Sequence, residues 1–253
     1  MKPDSEHEIA PRSRTLSVID ATLSAKDRLV SVAKTLYRMG TGWIRDLIDS
    51  ASGRKPASIS YRFLAHQIAD KFEGSESRPC IVFSAADSGG LGSDTSLMVA
   101  LFLHEELGSK VLLVDGSFTA GGITERVGLT AEAGLSEYLD DPGRDLSDYI
   151  KPTASSGVFV LPAGRASHKI TRPPGGQAVR SILDELTQFD YILIQQGSIA
   201  EDTRYLAFAQ SADLVLLYCE EGATLVSNYE ASRNILREYE IQNVGVILLE
   251  AGG

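Results

Sequence analysis

The chain has 253 residues, of which 43% are hydrophobic and 23% are charged, a composition typical of a folded globular protein. Its formal net charge of −10 argues against binding to nucleic acid through a basic surface and against unaided binding to anionic membranes. The cysteines, Cys80 and Cys219, lie in or beside apolar runs without metal-ligand spacing, and are interpreted as free core thiols. The longest apolar run is too short to cross a membrane and the amino terminus does not resemble a signal peptide, so a cytoplasmic location is expected.

The first part of the chain, residues 1–57, is predicted to be an extension that precedes the main domain. Residues 1–15 are polar and are expected to be disordered. From residue 16 to about residue 48 the apolar side chains recur at helical spacing, and a break into two helices is predicted at residues 40–42. Trp43 lies on this apolar stripe, which is interpreted either as core packing or as a docking face that Trp43 anchors.

The remainder, residues 58–253, alternates short apolar runs with longer amphipathic segments. The apolar runs are rich in Val, Ile and Leu and do not alternate with polar residues, as is typical of strands buried on both faces of a parallel sheet. Strands are predicted at 81–83, 111–114, 158–161, 191–194, 214–218 and 244–249. Helices are predicted at 58–72, 95–106, 134–139, 177–188, 200–210 and 224–240. This order predicts a doubly wound, mostly parallel α/β fold that binds its ligands at the carboxyl ends of the strands.

The loop after the first of these strands, "AADSGGLGSDTS", has the layout of a phosphate-binding loop. Its glycines are Gly89, Gly90 and Gly92. A working loop also supplies a lysine for the phosphates and a hydroxyl for Mg²⁺. Counted back from the helix, Asp94 stands at the lysine position and Thr95 at the hydroxyl position. Counted forward from the strand, the lysine position falls on Leu91, so the loop has an unusual length, and no lysine occurs between Lys71 and Lys110. The glycines are interpreted either as a relic of a phosphate loop or as a simple strand-to-helix turn. Ser93 or Thr95 is interpreted either as a helix N-cap or as a Mg²⁺ ligand.

Four further segments of the sequence form a pattern. Each segment alone is weak evidence for a family, but their order and spacing together are more specific. They read "KVLLVDGSF" (110–118), "GLSEYLDDP" to "GVFVLPAGR" (134–165), "LTQFDYILIQQGSI" (186–199) and "SADLVLLYCEEGAT" to "NVGVILLE" (211–250). Together with the glycine-rich loop they resemble the bacterial tyrosine kinases (BY-kinases) of capsule and exopolysaccharide synthesis, which are MinD/ParA-like P-loop ATPases. The resemblance covers roughly residues 58–250 and implies a P-loop NTPase-like fold of the SIMIBI type, with a helical N-terminal extension.

The chain departs from this family at the positions that the resemblance associates with phosphoryl transfer. Asp94 replaces the lysine, and in the second Walker-type segment Asp115 remains while Ser117 takes the next acidic position. Gln195 or Gln196 replaces the Walker B aspartate, and a neutral amide cannot supply a carboxylate's charge beside Mg²⁺. Asp115 is interpreted either as a relic site residue, with Thr95 as the other candidate metal ligand, or as a turn former. Binding of ATP and Mg²⁺ is therefore expected to be weakened or lost, and catalysis still more so.

The family's oligomerising pattern E-x-x-R-x-x-R is matched only in part. Arg62 remains, while Ile59 and Ala65 stand at the other two positions. Arg62 is therefore a candidate interaction residue beside Trp43, and a homo-oligomer is one expected form of the protein.

The resemblance implies a leading function and two alternatives. The leading interpretation is a pseudo-kinase of bacterial exopolysaccharide or capsule biosynthesis and export, and so of biofilm formation. It would bind and regulate a membrane polysaccharide co-polymerase and reach the inner face of the plasma membrane through that partner. The first alternative is an active, divergent ATP-dependent tyrosine autokinase or ATPase, in which Arg126 or Lys151 reaches the phosphates. The second alternative is a MinD/ParA-like positioning factor.

Overall fold

The computed structural model of the chain describes residues 19–20, 56–75, 78–87, 93–117, 122–141, 143–165, 174–220 and 223–249. Its strands are β1 (Ile19–Asp20), β2 (Cys80–Ala85), β3 (Val111–Asp115), β4 (Lys151–Pro152), β5 (Val158–Leu161), β6 (Tyr191–Gln196), β7 (Leu214–Glu220) and β8 (Val244–Leu249). Its helices are α1 (Pro56–Phe72), α2 (Ser93–Leu107), α3 (Ile123–Arg126), α4 (Leu135–Asp140), α5 (Gly176–Glu185), α6 (Leu206–Ala209) and α7 (Val226–Glu238). Short 3-10 turns are formed by Leu146–Tyr149 and Thr203–Tyr205.

Within the described residues the strands form one sheet in the order β1-β8-β7-β2-β6-β3-β5-β4. The strands from β8 to β5 in this order are parallel, and the two-residue strands β1 and β4 at the edges run antiparallel to their neighbours. Every residue of β2 and β3 is buried, which explains why their sequences are continuous runs rather than alternating ones. The predicted mostly parallel α/β fold is confirmed, and all of the predicted strands are present.

Helices cover both faces of the sheet, and two successive residues of β6 point to opposite faces. Gln195 is hydrogen-bonded to Ser96 of α2 on one face. On the other face, a Cβ atom built on Gly116 would lie 3.2 Å from the side chains of both Ile194 and Phe208, a residue of α6. Helix α2 also packs against α1, and its apolar side chains join the core around the strands. This double layer leaves the carboxyl ends of the parallel strands at one edge of the sheet, where sheets of this type bind their ligands.

The N-terminal part of the chain differs from the prediction where the structure describes it. A helix is predicted from residue 16, but this is wrong at Ile19 and Asp20, which form β1. The reason is that β8 offers an open edge, whose backbone groups β1 satisfies in part. Trp43 and the rest of the predicted N-terminal helices lie outside the described residues. The division of the chain at residue 57 stays a prediction.

Some short elements also differ from the prediction. The helix predicted at 200–210 is reduced to α6, which follows a 3-10 turn. In that turn the side chain of Asp202 accepts a hydrogen bond of 3.0 Å from the backbone N–H of Arg204, and so competes with a regular helix start. Helix α3 and strand β4 are not predicted, because elements of two to four residues show no period. Across the described ranges, no helix is both long enough and apolar enough to cross a membrane.

Candidate functional site

The carboxyl ends of β2, β3 and β6 meet the first turn of α2 at one edge of the sheet. Strand register places Gln195 between Phe83 on one side and Asp115 on the other. Strand β2 ends at Ala85 and α2 begins at Ser93, so a strand, a loop and a helix follow one another as the sequence predicts. The loop glycines lie outside the described residues, as does the side chain of Ser93; they are Gly89, Gly90 and Gly92. Their interpretation as a phosphate loop stays a prediction.

Asp94, at the lysine position, is buried in the first turn of α2 and is 4% exposed. Its Oδ1 atom lies 3.5 Å from Nε of Arg126, the last residue of α3. Burial raises the pKa of the Asp94 carboxyl to about 6, although the charge of Arg126 acts in the opposite direction. The residue that the sequence predicts at the lysine position is therefore a buried carboxylate, paired with a cation from another helix.

Two hydroxyls follow Asp94 in the same turn. Thr95 is 1% exposed, and its Oγ1 has no hydrogen-bond partner among the described residues. Because α2 begins at Ser93, Thr95 lies inside the first turn and not at the cap position before the helix. Ser96 donates a hydrogen bond from Oγ to Oε1 of Gln195 at 3.0 Å. Ser96 is not among the site residues predicted from the sequence, although its position next to the candidate Mg²⁺ hydroxyl is the signal that could have identified it.

The two glutamines at the end of β6 have different surroundings. Gln195 accepts the hydrogen bond from Ser96, and its Nε2 donates to the hydroxyl of Tyr218 at 2.8 Å and to the backbone oxygen of Gln196 at 3.3 Å. The side-chain amide of Gln196 is buried and has no hydrogen-bond partner within the described ranges. Gln195 is therefore the glutamine that contacts α2, and neither side chain brings the negative charge of a Walker B aspartate.

Asp115, at the end of β3, uses both carboxylate oxygens within its own chain. Oδ1 accepts hydrogen bonds from the backbone N–H of Ser117 at 3.0 Å and from its hydroxyl at 2.6 Å. Oδ2 accepts one from the backbone N–H of Thr124 at 2.7 Å. A Cβ atom on Gly122 would lie 2.5 Å from Oδ2, so the chain must approach Asp115 closely at a glycine. These contacts support the turn-forming interpretation of Asp115 and position α3 beside α2.

The two motifs "GLS" and "LPAG" are neighbours in the structure. The backbone N–H groups of Leu135 and Ser136 donate to the carbonyl oxygens of Pro162 and Ala163 at 2.8 and 3.0 Å. The carboxylate of Glu137 then accepts from the N–H of Gly134 at 2.9 Å, the hydroxyl of Ser136 at 2.9 Å and the N–H of Arg165 at 3.1 Å.

These motifs are also connected to the site. The N–H of Ala163 donates to Oγ1 of Thr124 at 2.8 Å, and Thr124 is in turn bonded to Asp115. Burial alone would raise the pKa of Glu137, but the hydrogen bonds that its carboxylate accepts lower it overall. The motifs therefore help to hold α3, and with it Arg126, at the edge of the sheet.

Two other candidate residues lie in separate contacts. Arg62 of α1 forms an ion pair with Glu106 of α2, and its guanidinium lies 5.4 Å from the centre of the Phe102 ring. The interaction role predicted for Arg62 stays a prediction, and the structure shows its charge engaged within the chain. In β4, Nζ of Lys151 lies 3.6 Å from Oε2 of Glu132 and donates a hydrogen bond of 3.2 Å to the carbonyl oxygen of Asp148. Of the two cations considered for the phosphates, Arg126 is the one that contacts a residue of α2.

A complex of ATP and Mg²⁺ does not fit the residues at this edge. The residue predicted at the lysine position is a buried carboxylate, Asp94, and the residues predicted at the Walker B position, Gln195 and Gln196, are neutral amides. The oxygens of Asp115 are already bonded to Ser117 and Thr124. The described part of the chain contains no group of three or more His, Cys, Asp or Glu side chains arranged to hold a metal. Among the described residues, the hydroxyl of Thr95 has no hydrogen-bond partner and is suited to contact a metal or a phosphate oxygen.

The fold matches solved structures of bacterial tyrosine kinase domains. The kinase domain of the Escherichia coli tyrosine kinase ETK has a TM-score of 0.71 and 17% identity, and the match covers 90% of this chain and 95% of that one. The chimerical protein CapA2B2 has a TM-score of 0.68 and 18% identity, with coverage of 91% and 100%. A ParA family ATPase from Chlorobium tepidum TLS has a TM-score of 0.56 and 20% identity, with coverage of 68% and 74%. Identities this low establish the fold alone.

Among curated proteins, the succinoglycan biosynthesis transport protein ExoP of Rhizobium meliloti (strain 1021) is 28% identical over 155 residues. The match covers 60% of this chain and 19% of ExoP, so the chain matches about a fifth of the length of that relative. No family model matches the chain. The resemblance drawn from the motifs is confirmed, and the chain has the P-loop ATPase fold that bacterial tyrosine kinase domains share with ParA-type ATPases.

Proposed function

We propose that this chain is a pseudo-kinase, a BY-kinase-like component of exopolysaccharide or capsule biosynthesis and export that acts by binding and not by phosphoryl transfer. The observation that carries the proposal is the pair of Asp94 and Arg126, a buried carboxylate in the first turn of α2 where the sequence predicts the lysine position. The match to ExoP supports the assignment to polysaccharide synthesis, since ExoP is a succinoglycan biosynthesis transport protein.

The size of the expected effect follows from the groups that have changed. Loss of one charge-assisted hydrogen-bond partner weakens binding by about 1.5–3 kcal/mol. Asp94 adds repulsion toward a polyphosphate, and Gln195 removes a carboxylate from the Mg²⁺ site. Together these changes weaken nucleotide binding by about 3–6 kcal/mol, on the order of 10²–10⁴-fold. Phosphoryl transfer depends mainly on positioning and charge stabilisation, so its loss is larger than the loss in binding.

The partner that we propose is a membrane polysaccharide co-polymerase. In ExoP the segment that resembles this chain is one part of a much longer transport protein. A similar association between a kinase-like domain and a transport component would hold this chain at the inner face of the plasma membrane. There it would influence chain length or export of the polysaccharide, and through them biofilm formation.

The first test is titration calorimetry of the purified chain with ATP and with ADP, each with and without Mg²⁺. We expect no binding up to millimolar nucleotide, because Asp94 repels the phosphates and Gln195 cannot support the metal. Incubation with ATP and Mg²⁺ should likewise produce no phosphotyrosine. Micromolar, Mg²⁺-dependent affinity would overturn the pseudo-kinase proposal.

The second test concerns the partner. The tagged chain is expressed in its native host and purified from detergent-solubilised membranes, and the bound proteins are identified by mass spectrometry. We expect a polysaccharide co-polymerase in amounts that do not change when ATP is depleted, because binding does not depend on turnover. Recovery of the chain without any protein of the cell envelope contradicts the proposed partnership.

One observation favours a second candidate function, an active but divergent ATPase or autokinase. The guanidinium of Arg126 lies beside the first turn of α2, where a substitute for the missing lysine would be needed. Phosphotyrosine formed with ATP and Mg²⁺ by the wild type, and lost in Arg126→Gln, would establish this alternative. The ParA-type neighbours match a smaller share of the chain than the kinase domains do, and no contact at the site favours a positioning factor.

A further inference from the structure

Two adjacent cavities lie at the amino ends of the parallel strands β7 and β8, at the edge of the sheet opposite the candidate functional site. The larger one has a volume of about 700 Å³ and is bounded by the start of α5 and by the residues that end or follow α6 and α7. The smaller one, of about 240 Å³, lies between the end of α1 and the first residues of β7 and β8. Gln242 and Asn243 line both cavities, which together are called the amino-edge groove.

The amino-edge groove is lined by side-chain amides that are available to a ligand. Among the described residues, none of these amides has a hydrogen-bond partner for its side chain; they are Gln67, Gln177, Gln210, Gln242 and Asn243. Oε1 of Gln67 is also buried, and native structures rarely leave a buried polar atom unpaired. Each amide offers two donors and an acceptor, and each hydroxyl of a ligand can both donate and accept. A row of amides therefore suits a ligand with many hydroxyls.

The charges in the groove favour a ligand with carboxylates. Lys71 of α1 lines the smaller cavity and Arg180 of α5 lines the larger one, and neither has an ion-pair or hydrogen-bond partner among the described residues. Glu240 is the one acid in the lining, so two cations and one anion leave an excess of one positive charge in a chain whose net charge is −10. A guanidinium pairs with a carboxylate through two parallel hydrogen bonds.

An exposed aromatic ring completes the lining of the larger cavity. Tyr239 follows α7 and is 48% exposed. Its ring offers an apolar face against which the C–H face of a sugar can pack, while the hydroxyls around the sugar reach neighbouring amides. The volume of this cavity lies within the range of about 300–1,000 Å³ that is usual for ligand sites.

We propose that the amino-edge groove binds an acidic oligosaccharide. The sugar hydroxyls bond to the amides and to the carboxylate of Glu240, one sugar packs on Tyr239, and carboxylates of the ligand pair with Lys71 and Arg180. A chain of sugars crosses from one cavity to the other beside Gln242. This inference goes beyond the proposed function and does not depend on it, because the groove and the candidate functional site lie at opposite edges of the sheet.

The test is titration calorimetry of the full chain with three probes of equal length. Hexagalacturonic acid carries hydroxyls and a carboxylate on every sugar, maltohexaose carries hydroxyls alone, and hexaglutamate carries carboxylates without hydroxyls. We expect hexagalacturonic acid to bind. Maltohexaose should bind at least about tenfold more weakly, because it forms no charge-assisted hydrogen bonds, and hexaglutamate should not bind measurably.

Substitutions at the two cations test where the ligand lies. Arg180→Gln and Lys71→Gln should each weaken the binding of hexagalacturonic acid by about tenfold, because each removes one charge-assisted contact. The matched control, Arg144→Gln, removes the same charge at an arginine that is 67% exposed and lies outside the groove, and it should leave the affinity unchanged. Circular dichroism verifies that each variant is folded.

The outcomes that overturn the inference are distinct from those that overturn the pseudo-kinase proposal. Absence of binding to hexagalacturonic acid, or an affinity unchanged in Arg180→Gln or in Lys71→Gln, overturns the sugar site. Equal binding of hexaglutamate overturns it as well and indicates an acidic peptide as the ligand. Binding of UDP-galacturonate without binding of the hexamer overturns the oligosaccharide and indicates an activated sugar. Micromolar, Mg²⁺-dependent binding of ATP overturns the pseudo-kinase alone.

Discussion

The side chains of Gln195 and Tyr218 are joined by a hydrogen bond of 2.8 Å from the amide nitrogen to the phenol oxygen. On its other side the same amide accepts a bond of 3.0 Å from Ser96, so it connects the ends of β6 and β7 to α2. Burial raises the pKa of Tyr218, which keeps its hydroxyl protonated and able to take part in this network. The amide of Gln195, one of the two glutamines predicted at the Walker B position, is thus part of a structural network in the core.

This network predicts that Gln195→Ala destabilises the fold. The substitution leaves the hydroxyls of Ser96 and Tyr218 buried without their present partner, and each such loss costs about 1–3 kcal/mol. We expect the free energy of unfolding in urea to fall by about 2–4 kcal/mol. Gln188→Ala, at an exposed position, is the control and should change it by less than about 0.5 kcal/mol. A loss no larger than that of the control would show that the network contributes nothing to stability.

The raised pKa of Asp94 predicts a pH-dependent penalty on stability. Its ordinary value is near 3.8 and folding raises it to about 6, so the folded chain binds this proton more tightly than the unfolded chain. Protonation therefore stabilises the fold, and the stability that it provides is lost as the pH rises from about 4 to about 6. At pH 7.5 the charged Asp94 lowers the free energy of unfolding by up to about 3 kcal/mol.

The measurement is the difference in unfolding free energy between Asp94→Asn and the wild type. We expect the variant to be the more stable at pH 7.5, and its advantage to shrink by about 1–2 kcal/mol at pH 4.5. The difference between the two proteins is used because it cancels the effects of Asp145 and Asp202. Hydrogen bonds lower the pKa values of these carboxyls, so their protonation at low pH destabilises the wild type and the variant alike. An advantage that is constant with pH would mean that Asp94 is not protonated in this range.

Asp115→Asn is predicted to destabilise the chain regardless of any catalysis. An asparagine keeps one oxygen, but its NH₂ group would face an N–H of Ser117 or Thr124 that now donates to a carboxylate. We expect a loss of about 2 kcal/mol in unfolding free energy, with Asp184→Asn on the exposed side of α5 as a neutral control. Equal stability of Asp115→Asn and the wild type would contradict the structural role. If Asp115→Asn loses a function, its unfolding curve must therefore be measured as well, to separate a functional loss from a loss of stability.

Much of the fold is accessible from the sequence because the central strands are buried on both faces. Runs of Val, Ile and Leu that are this short and this apolar are typical of such strands, and their predicted positions are confirmed. Strand β1 and helix α3 are different, because they contain two and four residues and form only where tertiary contacts select them. The pairing of Ile19 with Val246 of β8 cannot be predicted from a local stretch of sequence, because the two residues are far apart in the chain.

The site shows the same limit. The absence of a lysine from the loop is visible in the sequence, and counting back from the helix predicts Asp94 at its position. The partner of Asp94 is not visible, since Arg126 reaches it only through the turn that Asp115 and Thr124 form. From the sequence, Arg126 and Lys151 are equal candidates as phosphate ligands, and only the path of the chain between β3 and β5 distinguishes them.

The close packing of the "GLS" and "LPAG" motifs predicts a large effect for Gly134→Ala. A Cβ atom on Gly134 would lie 2.0 Å from the carbonyl oxygen of Pro162 and 2.8 Å from the backbone nitrogen of Gly164. Backbone atoms cannot move aside as a flexible side chain can, so α4 must separate from the segment after β5. We expect a loss of at least about 3 kcal/mol in unfolding free energy and faster proteolysis near this contact.

Gly143→Ala is the matched control for this substitution. Its Cβ would meet one atom, Oδ1 of Asp141, at 3.5 Å, which is ordinary van der Waals contact. We expect its unfolding free energy to lie within about 0.5 kcal/mol of the wild type. The separation of α4 should also loosen α3, because Ala163 is bonded to Thr124. Slow hydrogen exchange at Thr124 in Gly134→Ala, as in the wild type, would show that the motifs do not support the site.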